Sequence, residues 1–170
     1  MIEHNKEEYI SSYISKLLRK KFGKGPQTCR TTITKNYLVT YIRGFITPME
    51  EVLIQQGENK YVTFAREVII DHLLDEIRGL LQVTLEIDVI DQFHDWNFPN
   101  NSGILMFVLE NEAGKSIEPD IDIKMLELEI GRISELVEKV PDKIFTYPIS
   151  PSIYLIERKG ILVQIEKALI

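Results

Sequence analysis

Hydrophobic positions recur along the chain with two different periods, and the period predicts the element. Spacing of three to four residues, typical of amphipathic helices, covers four segments: 5–22, 47–56, 59–81 and 123–139. Alternating or continuous apolar runs, typical of strands, cover six: 28–34, 37–46, 83–89, 104–109, 143–149 and 153–157. The first 110 residues therefore predict an α-β-β-α-α-β-β unit of the α+β class.

Local signals mark several element ends. Gly23-Lys24-Gly25-Pro26 is typical of a helix stop, and it lacks the spacing and the strand-to-helix context of a phosphate-binding loop. Lys35-Asn36 separates two β-like runs and predicts a tight hairpin. Thr47-Pro48-Met49-Glu50 predicts a capping box at a helix start.

The segment from His94 to Gly103 predicts a turn-rich connection after a strand at 83–89. Continuing that strand's register puts Asp91, Phe93 and Asp95 on its apolar face, with His94 and Trp96 on the other. The segment has two interpretations: a structural turn, or a ligand site built from a Trp ring and polar neighbours.

The sequence predicts a main α+β domain at 1–112, a linker at 113–122 and a C-terminal part at 123–170. Gly160–Ile170 aligns without gaps with Gly44–Ile54, and Gly, Glu, Leu and Ile are identical at four positions. One interpretation is a partial α-β-β repeat packed against the first domain or against another chain. The other is chance similarity. The segment from Gly160 predicts either a strand or a short helix.

Composition excludes several classes of protein. Among 170 residues the net charge is −6, which argues against general nucleic-acid binding. The single cysteine, Cys29, excludes an intramolecular disulfide and a cysteine-based zinc site within this chain. The longest apolar run, Gly103–Leu109, is far shorter than a membrane span, and the acidic N-terminus has no signal-peptide core. We therefore expect a cytoplasmic protein without direct membrane insertion.

Chemistry-bearing motifs are sparse. The common hydrolase, zinc-protease and dinucleotide signatures do not occur, and the three histidines are scattered. Cys29 lies in a β-like run, where a small core residue is the simpler interpretation than a nucleophile. We expect no enzyme activity, no catalytic residues, no cofactor and no metal site.

Three strings together resemble the bacterial MpsC-like family: Phe22-Gly23-Lys24-Gly25-Pro26, the segment Tyr41–Glu50, and Asp95-Trp96-Asn97. The segments 138–141 and 158–167 resemble the C-terminal part of the family's longer members. The resemblance implies a component of a sodium-translocating, membrane-potential-generating system, encoded near membrane partners linked to cation or bicarbonate transport. It brings no catalytic residues to transfer.

Together, these features predict a non-enzymatic soluble accessory protein, homo-oligomeric, with a membrane transport protein as its candidate partner. The alternative is a small-molecule or anion-binding domain. Its candidate ligand residues meet in one pocket under that hypothesis: Arg43, His94, Asp95, Trp96 and Asn97.

Overall fold

A computed structural model describes residues 2–137 and 139–161. The chain divides into two compact units, Met1–Lys115 and Ser116–Ile170, called unit 1 and unit 2 below. Unit 1 contains α1 (Ile2–Phe22), β1 (Thr28–Thr34), β2 (Tyr37–Arg43), α2 (Pro48–Gln55), α3 (Asn59–Leu85), β3 (Val89–Asn97) and β4 (Ser102–Leu109). Unit 2 contains α4 (Ile123–Val137), β5 (Lys143–Ser150) and β6 (Ile153–Lys159). The predicted α+β class is confirmed.

The sheet of unit 1 has the strand order β1-β2-β4-β3, and every neighbouring pair is antiparallel. Apolar side chains of α1 and α3 pack with one face of this sheet, called the core face, which includes Leu38, Leu105 and Phe107. Because directly paired residues of an antiparallel sheet share a face, the register assigns every strand residue either to the core face or to the opposite, second face.

Short-range sequence signals account for the connections in the first half of unit 1. Lys35, in the hairpin between β1 and β2, has a φ of 49°. The predicted capping box is present at the start of α2, where the Glu50 N–H donates to Thr47 Oγ1 at 3.3 Å and the Thr47 N–H donates to Glu50 Oε2 at 2.8 Å. Each of these interactions involves neighbours in sequence, which is why the sequence predicts them.

The predicted strand at 83–89 is wrong. Helix α3 continues to Leu85 and ends at Glu86, whose φ of 59° is a left-handed cap. Leu81 and Leu85 are both buried, so the apolar positions at the end of this segment continue the helical spacing of α3. The strand begins instead at Val89 and contains the His94–Asn97 string that the sequence assigns to a turn.

A β-bulge between Val89 and Asp91 reverses the expected faces of β3. Val89 pairs with Leu109 and Asp91 with Val108, so Ile90 is an extra residue without a partner in the ladder. Because one extra residue shifts a period-2 pattern by one, the assignment of Asp91, Phe93 and Asp95 to the apolar face is wrong. Gln92, His94 and Trp96 lie on the core face.

The hairpins of the two units close in the same way. The Gln27 N–H donates to Arg43 O at 2.8 Å, and the Asp142 N–H donates to Lys159 O at the same distance. The next residue after each pair is a glycine with positive φ, 67° at Gly44 and 75° at Gly160. The remainder of the aligned segment, from Leu162 to Ile170, lies outside the described residues, so the partial repeat and its packing stay predictions.

Candidate functional site

The five residues predicted to bind a ligand are divided between the two faces of the sheet. Arg43 pairs with Ser102, which pairs with Asn97, and Asp95 pairs with Ile104. These pairings place Arg43, Asp95 and Asn97 on the second face, whereas His94 and Trp96 lie on the core face. The expectation that Arg43 and Trp96 meet in one pocket is wrong, because the sheet separates them.

Trp96 packs across Gly103 and against the ring of Phe45. A Cβ added at Gly103 would collide with the Trp96 ring, so the indole occupies the space that a larger residue would take. The centroids of the Trp96 and Phe45 rings are 4.7 Å apart, within the range of favourable aromatic pairs. Trp96 is therefore a partly buried packing residue at the edge of the core.

The three strings that resemble the MpsC-like family meet around one residue that they do not contain, Arg66 of α3. The Arg66 guanidinium carbon lies 4.3 Å from the ring centroid of Phe22, 4.2 Å from that of Phe45 and 4.8 Å from that of Trp96. Each ring comes from a different one of the three strings. Arg66 is only 1% exposed, so aromatic faces and polar protein groups, and not bulk solvent, surround this cation.

Glu50 supplies the counter-charge of Arg66. Arg66 Nε lies 2.8 Å from Glu50 Oε1, and Arg66 Nη2 donates to Glu50 Oε2 at 2.9 Å and to Phe45 O at 3.3 Å. Glu50 Oε2 also accepts from the Thr47 N–H in the capping box. The pair thus joins α3 to the first turn of α2 and continues into the helix cap.

Burial and pairing act against each other on the ionisation of this pair. Burial alone would raise the pKa of Glu50, but the Arg66 guanidinium and the Thr47 N–H outweigh it and hold the pKa below its ordinary value. Burial lowers the pKa of Arg66, and Glu50 opposes that shift. Both groups are charged at neutral pH, and each offsets part of the energetic cost of burying the other's charge.

Asn101 fixes the backbone beside this cluster. Its φ of 47° is in the left-handed region, and its Oδ1 accepts from the N–H groups of Phe45 at 2.9 Å and Ile46 at 3.1 Å. Lys24, from the first string, donates through Nζ to Ile46 O at 2.7 Å. These contacts hold the segment between β2 and α2 in place from both sides.

The cluster is suited to positioning α2 against α3, because its charge is already compensated within the fold. The site residues predicted from the sequence do not include Arg66, although the sequence contains a signal for its burial. Val62, Ile70 and Leu73 are buried at helical spacing around it, so position 66 lies on the buried stripe of α3. An arginine at such a position requires a buried partner.

A different feature of α3 is an apolar stripe that faces away from the core. Tyr61, Phe64 and Val68 follow one another at spacings of three and four residues, and all three are exposed, Phe64 to 67%. Val68 lies ~200° around the helix from Arg66, because each residue turns a helix by about 100°. Packing within unit 1 therefore does not explain these apolar residues.

Acidic side chains flank the exposed stripe. Glu67, Asp71 and Asp75 are exposed on the same side of α3. Lys60, at its N-terminal end, lies 3.6 Å from Glu58 and 4.9 Å from the centroid of the Tyr61 ring. The stripe is thus an apolar surface with a negative border.

Other candidate chemistry is limited in the described part of the chain. No group of three His, Cys, Asp or Glu side chains there is arranged to hold a metal ion. Burial raises the pKa of the Cys29 thiol to about 12, so the thiol is protonated at neutral pH. Of the helices in residues 2–137 and 139–161, none combines the length and apolar character needed to cross a membrane.

Comparison with known protein families gives a match over most of unit 1. A family model described as "Na+-translocating membrane potential-generating system (MpsC)" matches residues 3–111. The match ends close to the end of unit 1 at Lys115 and includes Arg66 and the three strings around it. No curated protein and no solved structure matches the chain.

Proposed function

Because the chain belongs to the MpsC family, we propose that it is a non-enzymatic accessory protein of a cation-translocating membrane system and acts by binding a membrane protein of that system. The observation that carries this proposal is the exposed stripe of Tyr61, Phe64 and Val68 on α3. An apolar surface that the fold does not need for its own core is typical of a protein-binding site.

The border of the stripe favours one kind of partner. Glu67, Asp71 and Asp75 repel an anionic lipid surface, so direct binding to the membrane is disfavoured. The cytoplasmic loops of membrane proteins carry an excess of Lys and Arg. A short basic loop with an apolar anchor complements both the centre of the stripe and its border.

The Arg66–Glu50 pair supports this role by holding α3 in place. Arg66 lies on the side of α3 opposite Val68, and it joins that side to α2, Phe22 and Trp96. Because α3 is already held in place along its buried side, a partner can bind its exposed side without the entropy loss of ordering the helix.

Site-specific photo-cross-linking in cells tests the proposal. A photoreactive phenylalanine at position 64 is expected to cross-link to an integral membrane protein. The same group at Val83, which is 82% exposed on the same helix, is the matched control and is expected to give no such product. Equal products from both positions, or no membrane-protein product from position 64, would contradict the proposal.

A second candidate function, binding of a small neutral ligand, is favoured by one observation near Arg66. Arg66 Nη1 and Trp96 Nε1 are buried N–H donors, and no acceptor for them occurs among the described residues. Because Glu50 already compensates the charge of Arg66, these donors suit a neutral carbonyl oxygen better than an anion. Saturable quenching of Trp96 fluorescence by a small amide, with no such effect of chloride or bicarbonate, would support this candidate.

A further inference from the structure

Helix α4 of unit 2 leaves most of its apolar side chains exposed. Ser134 is its buried residue, and Ser134 Oγ accepts from Arg158 Nη1 at 3.2 Å. By contrast, Met125 is 63% exposed, Leu128 70% and Leu136 73%. A surface helix normally turns its apolar stripe toward the core, whereas this helix of 15 residues leaves these apolar side chains exposed.

The exposed residues form a stripe with charges at its centre. Met125, Leu128, Arg132 and Leu136 follow one another at spacings of three, four and four residues, which places them along one side of α4. Glu129 adjoins this side, and Arg132 Nε donates to Glu129 Oε2 at 2.9 Å. The stripe therefore runs from apolar residues through a Glu–Arg pair to apolar residues again.

The stripes of two copies of α4 are complementary to each other when the two helices run antiparallel. When two copies of α4 cross antiparallel about a point between Ile130 and Gly131, Met125 of one copy lies opposite Leu136 of the other. In the same alignment Glu129 lies opposite Arg132 of the second copy, on both sides of the axis. Each copy thus presents an apolar residue to an apolar residue and a carboxylate to a guanidinium.

We propose that unit 2 binds a second copy of this chain through α4, in a two-fold antiparallel helix pair. The partner is a second copy because the stripe of one copy is complementary to the same stripe of the other, both in its apolar residues and in its charges. An isologous interface requires such self-complementarity. A single pair of helices this short, about 22 Å long, buries less than a standard interface, so we expect a dissociation constant in the range of about 1–100 μM. The inference goes beyond the proposed partner-binding role of α3.

Sedimentation velocity of the full chain over a wide concentration range tests the inference. The unsubstituted protein is expected to shift from monomer to dimer as its concentration rises. Leu128→Glu places a charge at the centre of the stripe and is expected to weaken dimerisation by at least about tenfold. Val83→Glu in α3 is the matched control, because Val83 is also an exposed apolar residue (82%, against 70% for Leu128) but lies outside the stripe, and it is expected to leave dimerisation unchanged.

Charge reversal separates an effect on the interface from an effect on folding. Glu129→Arg places two like charges opposite each other across the two-fold axis, and it is expected to weaken the dimer. Adding Arg132→Glu restores opposite charges both within the helix and between the copies, so the double variant is expected to recover dimerisation. The single substitution leaves the fold intact, since both residues are exposed.

Several results would overturn the inference. They are a monomer at every concentration, a dimer that Leu128→Glu leaves intact, and a double charge reversal without recovery. If the protein is monomeric and Leu128→Glu lowers its stability, the stripe is covered within one chain, and this result also overturns the inference. None of these results affects the cross-linking expected from position 64, so the two proposals fail separately.

Discussion

Replacing Arg66 by methionine tests the central structural conclusion, that one buried charge joins the three strings of unit 1. Methionine keeps much of the side-chain volume between the rings of Phe22, Phe45 and Trp96 but removes the guanidinium. Glu50 is then left 7% exposed without its counter-charge. Removing one partner of a buried ion pair typically costs about 3–5 kcal/mol.

Glu50→Gln makes the complementary change. The amide oxygen can still accept from the Thr47 N–H, so most of the capping box persists while the buried guanidinium loses its counter-charge. We expect a loss of about 3–5 kcal/mol here too. Thr47→Ala removes only the hydroxyl cap and is expected to cost about 1 kcal/mol, which sets the scale for an effect of the cap alone.

The assay is urea unfolding followed by the fluorescence of Trp96, the single tryptophan of the chain. The probe is well placed, because its ring lies 4.8 Å from the Arg66 guanidinium carbon and reports on unit 1. In a double-mutant cycle, the combined Arg66→Met and Glu50→Gln variant is expected to lose less than the two single variants together, with a coupling of about 2–3 kcal/mol.

The pH dependence adds an independent check with a definite sign. Because folding holds the pKa of Glu50 below its ordinary value of 4.5, its stabilising contribution is fully present above that pH. The contribution is lost as the pH falls through the lower pKa of the folded state. Glu50→Gln is therefore expected to flatten the acid limb of the stability curve. Additive losses in the cycle, or an unchanged acid limb, would refute the reasoning.

Three further predictions concern single positions. Gly103→Ala is expected to destabilise unit 1 by about 1–3 kcal/mol, because the added Cβ collides with the Trp96 ring. Gly79→Ala, at an open position of α3, is the control and is expected to stabilise the protein by up to about 1 kcal/mol. Chemical denaturation measures both changes. Asn101→Gly keeps the left-handed backbone accessible but removes an acceptor of two N–H groups, so its melting temperature is expected to fall, and Asn101→Asp is expected to retain most of the stability. Cys29 is expected to react with a thiol-specific reagent at pH 8 at least about 100-fold faster in urea than in the folded protein, because folding buries the thiol and raises its pKa to about 12. Equal rates in the two states would show that the folded protein has an accessible thiolate.

The sequence predicted features that depend on close neighbours in the chain. The hairpin at Lys35 and the capping box at Thr47 follow from residues within a few positions of one another, and both are present. The α+β element order follows from hydrophobic periods. The family was equally accessible, because the strings that carry it are short and contiguous.

Errors arose where a distant contact decides between local alternatives. The pattern from Val83 to Val89 is compatible with a strand, but burial against the core continues the helix to Leu85. The bulge at Ile90 then changes which side chains of β3 face the core. A single extra residue of this kind leaves no local signal, since its position is set by the pairing of β3 with β4.

The sequence alone determined the family, the fold class and the ends of several elements, because those depend on local geometry and on periodicity. Only the tertiary structure showed that Arg66 is the residue at which the three strings meet, since its partners are separated by 16 to 44 positions along the chain. The tertiary structure also placed Arg43 and Trp96 on opposite faces of the sheet. Arg43 pairs with Ser102 and Trp96 with Gly103, and successive residues of one strand point to opposite faces. It likewise identified which apolar residues remain exposed, on α3 and on α4, where the proposed interactions lie.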